Sequence, residues 1–567
     1  MAAPHSPSAE LGDSLAELKR RSGRSYEWIG KRVNLSKSAV HRLCAGQSVP
    51  PEFGRIEQVA RACGAGADDI AGLFALWRQA ITEDRHSESA PSVAGSPAPA
   101  VVAGPRTLTA AAGAPDSAQS PQPAAHVAMK RQRTLILLVA ILIALLAIAN
   151  TSQGPSTAAR AVATNTAQQI SGPAWSLPPQ AVASTLFGVT INSSTGIMPA
   201  FSVGAVRLWD SGTRWADLEP YPGQFDWTVL DRLVSSAFAA QHPVLFVLGG
   251  TPAWANPAAP PAPYPDGSRA APPSDLRDWD AYVSALVNRY RGRIESYELW
   301  PLANDHRYFN GPVETLVDMT KRAAHIIRAV DPKATIVCPG MGNLWTPDGQ
   351  SVLEQFARAG GYDYCDVAGI KLYQHTASDP PETMLTLALT VDRLMHTAGI
   401  QPRLWSTGTT YSINLQAPLS QEMARGYAVR FYLVGIYARN LNLERMYFYN
   451  WGSGKLPIVL QVPGGEPTAA ALAVEELERW LVHAQSLSCG HGLPINLPDN
   501  VWQCDFRITD PGRHAYDATI RWTDTGTATT TAEPDMVAVE DLDGSRTAIR
   551  AGDTLTITGD PILIERR

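Results

Sequence analysis

Aromatic and polar side chains concentrate at the C-terminal ends of a series of predicted strands, where side chains of different strands can converge. A flat aromatic ring can pack against a sugar ring, and charged or amide groups beside it can orient hydroxyls. These residues define a candidate carbohydrate-binding site, although some of them could simply pack the top of the fold. The candidates are Arg207, Trp209, Asp210, Trp254, Trp300, Asn304, Asp305, Lys371, Tyr373, Trp405, Asn450 and Trp451.

Eight strand-like segments must position these residues, and amphipathic helical segments such as "LRDWDAYVSALVNRYRG" lie between them. Such alternation predicts a (β/α)₈ TIM barrel over residues 184–485, with its site at the C-terminal ends of the strands. The eight segments are "LFGVTIN", "AVRLWD", "PVLFVLGG", "SYELW", "TIVCPGM", "DVAGIKLY", "RLWSTGTT" and "RMYFYNWG".

Residues 486–567 have a different pattern. The segments "HAYDATIRWTDTG" and "DTLTITGDPILIERR" alternate with period two, which predicts a C-terminal antiparallel β-sandwich domain. Cys489 and Cys504 flank a loop of this domain and predict a disulfide. Cys338 and Cys365 are expected to be unbridged, because positions late in one strand and early in the next lie roughly 13 Å apart.

The N-terminal segment "SYEWIGKRVNLSKSAVHRLCAGQSVP" has the pattern of a helix, a turn and a second helix. Ser36 precedes the second helix and can accept a hydrogen bond from a free backbone N–H. Val40 and Leu43 give that helix a buried side, and Gly46 ends it. The spacing therefore predicts a compact all-α bundle within residues 1–86.

This bundle resembles the Cro/repressor-like helix-turn-helix domains, chiefly through "LSKSAVHRLCAG" and over residues 11–80. The resemblance implies that the second helix enters the DNA major groove. Residues 11–46 hold eight basic and three acidic side chains, net +5, which suits phosphate contacts. The alternative is a solvated basic face, as in protein-binding members of the fold. The predicted DNA contacts are Ser36, Lys37, Ser38, His41 and Arg42.

The segment between these domains predicts linkers and a membrane span. Residues 87–129 are rich in Ala, Pro and Ser, which is typical of a disordered linker. Residues 130–150, "KRQRTLILLVAILIALLAIAN", contain sixteen consecutive uncharged positions after a basic flank and predict a single transmembrane helix. The basic flank places the N-terminus in the cytoplasm, and residues 151–183 are then an extracellular linker before an extracellular barrel. The predicted location is the cell membrane.

The barrel and the β-domain together resemble the retaining clan-A glycoside hydrolases, in particular the β-xylosidase-like group. The motifs that carry the resemblance run along most of the chain after residue 184. They are "VRLWDSGTRWADLEPYPGQFDWTVLDRLV", "GGTPAWA", "YELWPLAND", "YCDVAGIKLY" and "MYFYNWG".

The resemblance also shows what this chain lacks. Such enzymes use two carboxyl groups about 5–5.5 Å apart. The acid/base glutamate of the family pattern W-N-E-P corresponds to Leu302, and the nucleophile glutamate after strand seven corresponds to Gly408. A histidine that is common after strand six corresponds to Lys371. The comparison predicts a catalytically inactive barrel, with Asp305 as the candidate for a displaced acid.

These observations lead to one principal functional hypothesis and two alternatives. At 567 residues and net charge −6, the chain is a multidomain protein without a generally basic surface. The principal hypothesis is a membrane-anchored, DNA-binding transcriptional regulator, with a homodimer as one candidate assembly, whose barrel binds carbohydrate or cell-wall glycan. The alternatives are a membrane-bound glycoside hydrolase with displaced acids and a structural adaptor with a protein-binding barrel. No cofactor or metal is expected.

Overall fold

The computed structural model of this chain describes residues 6–33, 35–50, 53–88, 172–408, 416–452, 456–512 and 514–567. Across these ranges, no helix combines the length and the apolar character needed to cross a membrane. The predicted transmembrane helix in the fold class and the predicted single-pass membrane location are therefore corrected. The segment on which they rested, residues 130–150, lies outside the described residues, as do 89–129 and 151–171.

The N-terminal domain consists of short helices packed around one apolar core. They are α1 (Pro7–Ser22), α2 (Tyr26–Arg32), α3 (Lys37–Cys44), α4 (Phe53–Ala62) and α5 (Ala67–Glu88).

The turn between α2 and α3 follows from two local features. The Ser36 hydroxyl accepts a hydrogen bond from Ala39 N at 3.1 Å and caps α3, as the sequence predicts. Gly30 allows the close approach at the turn, because a Cβ there would lie 2.5 Å from Leu35 O. Val40 and Leu43 then face the core of the domain.

The barrel contains the eight predicted parallel strands within the described residues. They are β2 (Phe187–Ile191), β3 (Ala205–Leu208), β4 (Val244–Val247), β5 (Ser296–Glu298), β6 (Thr335–Val337), β7 (Ala368–Ile370), β8 (Leu404–Ser406) and β9 (Leu443–Trp451). The intervening and flanking helices are Trp215–Leu218, Thr228–Ala239, Leu276–Tyr290, Val313–Val330, Pro347–Arg358, Met384–Thr397, Gln421–Tyr437 and Ala469–Trp480.

The barrel strands pair in parallel register in the order β6-β5-β4-β3-β2-β9-β8-β7. Bridges between Val337 and Val367 and between Met341 and Ile370 join the two ends of this order and close the barrel. The C-terminal ends of all eight strands therefore meet at one face, which we call the mouth. This closure is what brings residues distant in the sequence into one site.

The β-domain has one strand that comes before the barrel in the sequence. β1 (Ala174–Ala181) pairs antiparallel with β10 (Ala484–His491), so part of the predicted linker 151–183 belongs to this domain. The larger sheet has the order β1-β10-β11-β12-β17-β14-β15, and β13 pairs with β16. The other strands are β11 (Val501–Ile508), β12 (Tyr516–Thr523), β13 (Ala528–Thr531), β14 (Met536–Glu540), β15 (Arg546–Ala548), β16 (Thr554–Ile557) and β17 (Ile562–Arg566).

Two disulfides link neighbouring strands. The structure contains the bond between Cys489 and Cys504, which lie opposite each other on β10 and β11. It also contains a bond between Cys338 and Cys365, with Cα atoms 5.4 Å apart, so the prediction that this pair is unbridged is wrong. The register explains the error, because Cys338 N bonds to Val367 O and therefore lies close to Cys365.

Candidate functional site

A buried carboxylate lies beneath the mouth of the barrel. Glu298 ends β5 and is completely shielded from solvent. Its Oε2 accepts a hydrogen bond from Arg207 Nε at 2.8 Å, and its Oε1 accepts from Lys371 Nζ at 3.1 Å and Thr407 Oγ1 at 2.9 Å. Lys371 Nζ also donates to Thr407 O at 3.2 Å. Three other strands of the barrel thus supply the partners of one carboxylate.

The opposite charges of this network shift the pKa values of its members. Burial alone would raise the pKa of Glu298, but Arg207 and Lys371 outweigh it and hold that pKa below its ordinary value. Burial lowers the pKa of Lys371 to about 8, with a further contribution from Arg207 and opposition from Glu298. Glu298 is therefore an anion at neutral pH and cannot serve as a proton donor.

The two positions that matched the missing glutamates lie at this same mouth. Gly408 has φ 149°, a conformation that side-chain-bearing residues rarely adopt, and a Cβ there would lie 3.8 Å from Lys371 Nζ. Leu302 is half-buried and has φ 49°. An ammonium group therefore lies beside Gly408, and neither position supplies a carboxylate.

Strain is concentrated beside these positions. Trp300 has φ 132° and Leu302 has φ 49°, and both are unusual for residues with a Cβ. Backbone strain of this kind persists only where the surrounding structure enforces it, and it often accompanies functional sites. The loop after β5 is held by hydrogen bonds from Gly340 N to Trp300 O at 2.7 Å and from Ala303 N to Gly340 O at 2.9 Å.

A second charged cluster lies in the loops after β3 and β4, and sequence reasoning found only part of it. Arg214 bonds to Asp210 and, at 3.0 Å, to Asp266. Its guanidinium lies 4.1 Å from the ring centroid of Tyr264. Tyr449 donates to Asp210 Oδ2 at 2.6 Å. The sequence signal for Arg214 and Asp266 is weak, because both lie in loops without periodicity.

An acid in this cluster has an unusual pKa. Burial and the neighbouring Asp266 raise the pKa of Asp217 to about 7, while Arg214 opposes the shift. Asp217 Oδ2 accepts a hydrogen bond from Arg214 N at 3.3 Å. Since its carboxyl protonates near neutral pH, Asp217 is a titratable group that sequence reasoning missed.

The structure brings several of the predicted contact residues together at the mouth. Arg207 and Lys371 share Glu298. Trp209 packs edge-on against Tyr264 and beneath Arg214. Tyr373 is buried and accepts a hydrogen bond at its carbonyl from Trp345 Nε1 at 3.1 Å.

Other predicted contact residues have structural contacts instead. Trp300 is 1% exposed and packs between Trp279 and Phe309. Trp451 is fully buried and donates to Gln461 Oε1 at 3.2 Å.

Of three further candidates, two have structural contacts and one cannot be placed. Asn304 bonds to Gly349 O and to the backbone of Gly342 and thereby fixes the loop after β6. Trp254 is half-buried and donates to Glu219 O at 2.8 Å. The side chain of Asn450 lies outside the described residues.

Trp405 lies at the wrong end of the barrel to contact a ligand in the mouth. It is 2% exposed and belongs to the apolar layer that fills the barrel interior. Its Nε1 donates to Glu444 Oε2 at 3.1 Å, near the start of β9. Trp405 points into the barrel, as Thr407 two residues later does, but Thr407 reaches Glu298 at the mouth whereas Trp405 contacts the start of β9. The letter pattern does not determine at which level of the barrel interior a side chain lies.

Asp305 is held by a neighbouring arginine. It is 6% exposed and accepts hydrogen bonds from Arg307 N at 2.9 Å and Arg307 Nη2 at 2.7 Å. Both oxygens of its carboxylate also contact the Arg307 guanidinium. These contacts hold the carboxylate in place and weigh against Asp305 as a displaced catalytic acid.

Two aromatic pairs at the mouth come from residues that the sequence did not single out. Trp345, in the loop after β6, stacks on His375, in the loop after β7, with ring centroids 3.7 Å apart. Tyr264 and Tyr308 form a second pair at 5.3 Å. His375 is exposed and Trp345 is half-buried, so this pair can present a flat face to a ligand.

The predicted DNA-contact residues share one face of α3. Val40, Leu43 and Cys44 are buried on the opposite face. The five contact candidates Ser36, Lys37, Ser38, His41 and Arg42 lie at the start of α3 or on its outward side, where solvent reaches them.

Comparison with known proteins finds separate similarities for the N-terminal domain and for the rest of the chain. Residues 10–73 match a family of helix-turn-helix domains. A comparison with curated protein sequences finds no match. The predicted helix-turn-helix domain at the N-terminus is therefore confirmed.

The barrel and β-domain are similar to solved glycoside hydrolase structures. A family 39 glycoside hydrolase from the gut symbiont Bacteroides cellulosilyticus WH2 has a TM-score of 0.51 and 15% identity, covering 69% of this chain and 83% of that chain. A glucosidase from Croceicoccus marinus has a TM-score of 0.49 and 14% identity, covering 69% and 97%. The family 39 enzyme from Xanthomonas axonopodis pv. citri has a TM-score of 0.47 and 14% identity, covering 68% and 95%.

The first of these similarities confirms the predicted glycoside hydrolase-like barrel. At 15% identity it shows the fold alone. The protein therefore combines an N-terminal helix-turn-helix domain with a barrel of glycoside hydrolase fold.

Replacing the buried carboxylate tests the charge network. We expect Glu298→Gln to lower the free energy of unfolding of the barrel by about 3–5 kcal/mol, because two cations lose their buried counterion. Denaturant unfolding of the full chain measures the change. Glu295→Gln is the matched control, since Glu295 pairs with the partly exposed Arg445 at the other end of the barrel and should cost less. Equal losses in the two variants would contradict the prediction.

The raised pKa of Asp217 predicts a pH dependence of stability. Because the folded state holds this proton more tightly than the unfolded chain, stability should fall as pH rises from about 4 to about 7. Asp217→Asn removes the titration, so we expect the variant to gain stability relative to wild type at pH 8 and little at pH 4. One pKa unit corresponds to about 1.4 kcal/mol. Parallel pH–stability curves for the two proteins would show that Asp217 does not titrate in this way.

Proposed function

We propose that this protein is a DNA-binding regulator whose barrel binds carbohydrate without cleaving it. The observation that carries the proposal is the replacement of both reacting carboxylates by Leu302 and Gly408 in a barrel of glycoside hydrolase fold. The helix-turn-helix domain supplies the DNA-binding half of the proposal.

The geometry of the mouth supports the absence of cleavage. Retaining hydrolysis needs a proton donor and a nucleophile about 5–5.5 Å apart. Glu298 bonds to Arg207, Lys371 and Thr407, and Asp305 bonds to Arg307, so neither carboxylate is free to take over these roles. The positive φ of Gly408 also disfavours a glutamate at that position.

The accessible aromatic pair supports carbohydrate binding. Trp345 and His375 present stacked rings beside the buried charges of the mouth. An aromatic face packs well against the apolar face of a sugar, while neighbouring polar groups select its hydroxyls. The ligand class that fits this combination is a saccharide.

Binding and turnover can be measured on the same preparation. We expect the full chain to bind one or more saccharides on a glycan array and in calorimetry, and His375→Ala and Trp345→Ala to weaken that binding at least tenfold, about 1.4 kcal/mol. Phe238→Ala is the control, because Phe238 is an exposed aromatic on the helix Thr228–Ala239, away from the strand ends. Aryl glycosides should give no release above a protein-free blank.

Each alternative gives a distinct result in this experiment. Sustained turnover that Asp305→Asn abolishes would establish an enzyme with displaced acids and overturn the proposal. Saccharide binding that is unchanged in His375→Ala and Trp345→Ala would place the ligand elsewhere. A glycan array without binders would favour a protein-binding barrel.

The exposed face of α3 supports DNA binding. Lys37 and Arg42 lie on this face, and basic side chains there can contact phosphates or base edges. We expect Lys37→Ala and Arg42→Ala each to weaken DNA binding about tenfold and to reduce its salt dependence. Fluorescence anisotropy with duplex DNA at several salt concentrations measures both quantities.

The matched control is Arg20→Ala, which removes an exposed arginine of α1 that pairs with Glu17. We expect this variant to bind DNA nearly as tightly as wild type. A full chain that binds no duplex at low salt would overturn the DNA-binding half of the proposal and favour a protein partner for this domain.

A further inference from the structure

A polar cavity of about 320 Å³ lies at the N-terminal ends of the barrel strands, opposite the mouth. The starts of β8 and β9, the segment after helix Gln421–Tyr437, and strands β1 and β10 form its walls. Its charged and aromatic lining residues are Arg403, Trp405, Arg439, Glu444 and Arg445. Three arginines therefore line a cavity that is separate from the mouth.

Two of these arginines have carboxylate partners. Arg445 bonds to Glu295 Oε1 at 2.7 Å and Oε2 at 3.0 Å, and its guanidinium stacks 3.9 Å from the ring centroid of Trp405. Arg403 lies 3.4 Å from Glu444 Oε2, which also accepts a hydrogen bond from Trp405 Nε1. These pairs cancel two of the three positive charges.

Arg439 has no carboxylate partner among the described residues. It donates to Gln180 Oε1 at 2.5 Å, to the carbonyl oxygens of Ser486 at 2.9 Å and Pro178 at 3.1 Å, and to the Ser486 hydroxyl. Burial lowers the pKa of Arg439 to about 10, and no neighbouring carboxylate in the described part of the chain opposes the shift. The wall of the cavity therefore keeps one positive charge without a carboxylate partner among the described residues, on a half-buried side chain.

A second group in the wall also lacks a partner. Within the described residues, the buried Nε of Arg403 makes no hydrogen bond. A buried donor without an acceptor destabilises the folded state. An oxyanion in the cavity could offset the charge of Arg439 and offer acceptors that the described residues do not supply.

We propose that this cavity binds a small organic anion, a carboxylate or a phosphate ester, independently of the carbohydrate site at the mouth. The volume is at the lower end of the range of small-molecule pockets, about 300–1,000 Å³. The face of Trp405 is already occupied by Arg445, so the guanidinium groups and not aromatic stacking select the ligand. Recognition is by charge and by donors in fixed positions.

The test uses the full chain with inorganic phosphate and acetate as probes, each against sodium chloride at equal ionic strength. We expect calorimetry to detect saturable binding of at least one probe and thermal unfolding to show a rise in Tm that sodium chloride does not reproduce. Arg439→Gln should weaken binding at least tenfold, and Arg439→Lys, which keeps the charge but loses the planar fork of donors, should weaken it less than Arg439→Gln does.

Two controls separate binding in this cavity from anion binding elsewhere on the protein. Arg479→Gln removes an exposed arginine that pairs with Glu476 and Glu540, and it should bind the probes as wild type does. If Arg439→Gln does not fold, Arg403→Gln replaces it, and we expect that variant also to weaken binding. Wild-type binding in both Arg439→Gln and Arg403→Gln, or in whichever of them folds, would assign the anion to another site, such as the helix-turn-helix domain, and overturn the proposal. Equal effects of the probes and sodium chloride would also overturn it.

Discussion

The ion pairing of Glu298 is the constraint on which the barrel mouth depends. A carboxylate that is fully removed from water is stable only when cations and donors surround it. Arg207 from β3, Lys371 beyond β7 and Thr407 beyond β8 fill that role and thereby tie the ends of four strands together. The side chains of the mouth are arranged around this one anion.

The ion-pair network of Glu298 also needs free space around it. A side chain at Gly340 would collide with Glu298 Oε1, and a Cβ there would also lie 3.2 Å from Lys371 Nζ. Gly408 also lies beside this ammonium group, but a Cβ there would be at an ordinary contact distance of 3.8 Å from Lys371 Nζ. The contact between Lys371 and the carboxylate therefore depends on the absence of a side chain at Gly340.

The same arrangement connects the fold to the proposed function. The mouth keeps charged groups and a strained backbone, but the carboxylates described there, apart from that of Asp217, already pair with a cation. Asp210 and Asp266 bond to Arg214, and Asp305 bonds to Arg307. A site with this network of ion pairs can orient the polar groups of a ligand. Leu302 and Gly408, however, supply neither a proton donor nor an attacking oxygen.

The sequence by itself determined the local features of this protein, and the tertiary structure decided which side chains share a site. The strands of the barrel follow from short apolar runs between helical patterns, α3 begins where Ser36 can cap it, and the missing glutamates at positions 302 and 408 are visible in the letters alone. These features depend on neighbours in the chain or on residue identity. Trp405, by contrast, lies deep in the barrel interior and not in the mouth, because the stagger of the paired strands decides the level at which each inward side chain lies. The register of β6 and β7 brings Cys338 and Cys365 together, and β1 joins a domain formed mainly by the end of the chain. Such contacts arise from closure of the barrel, which no local pattern encodes.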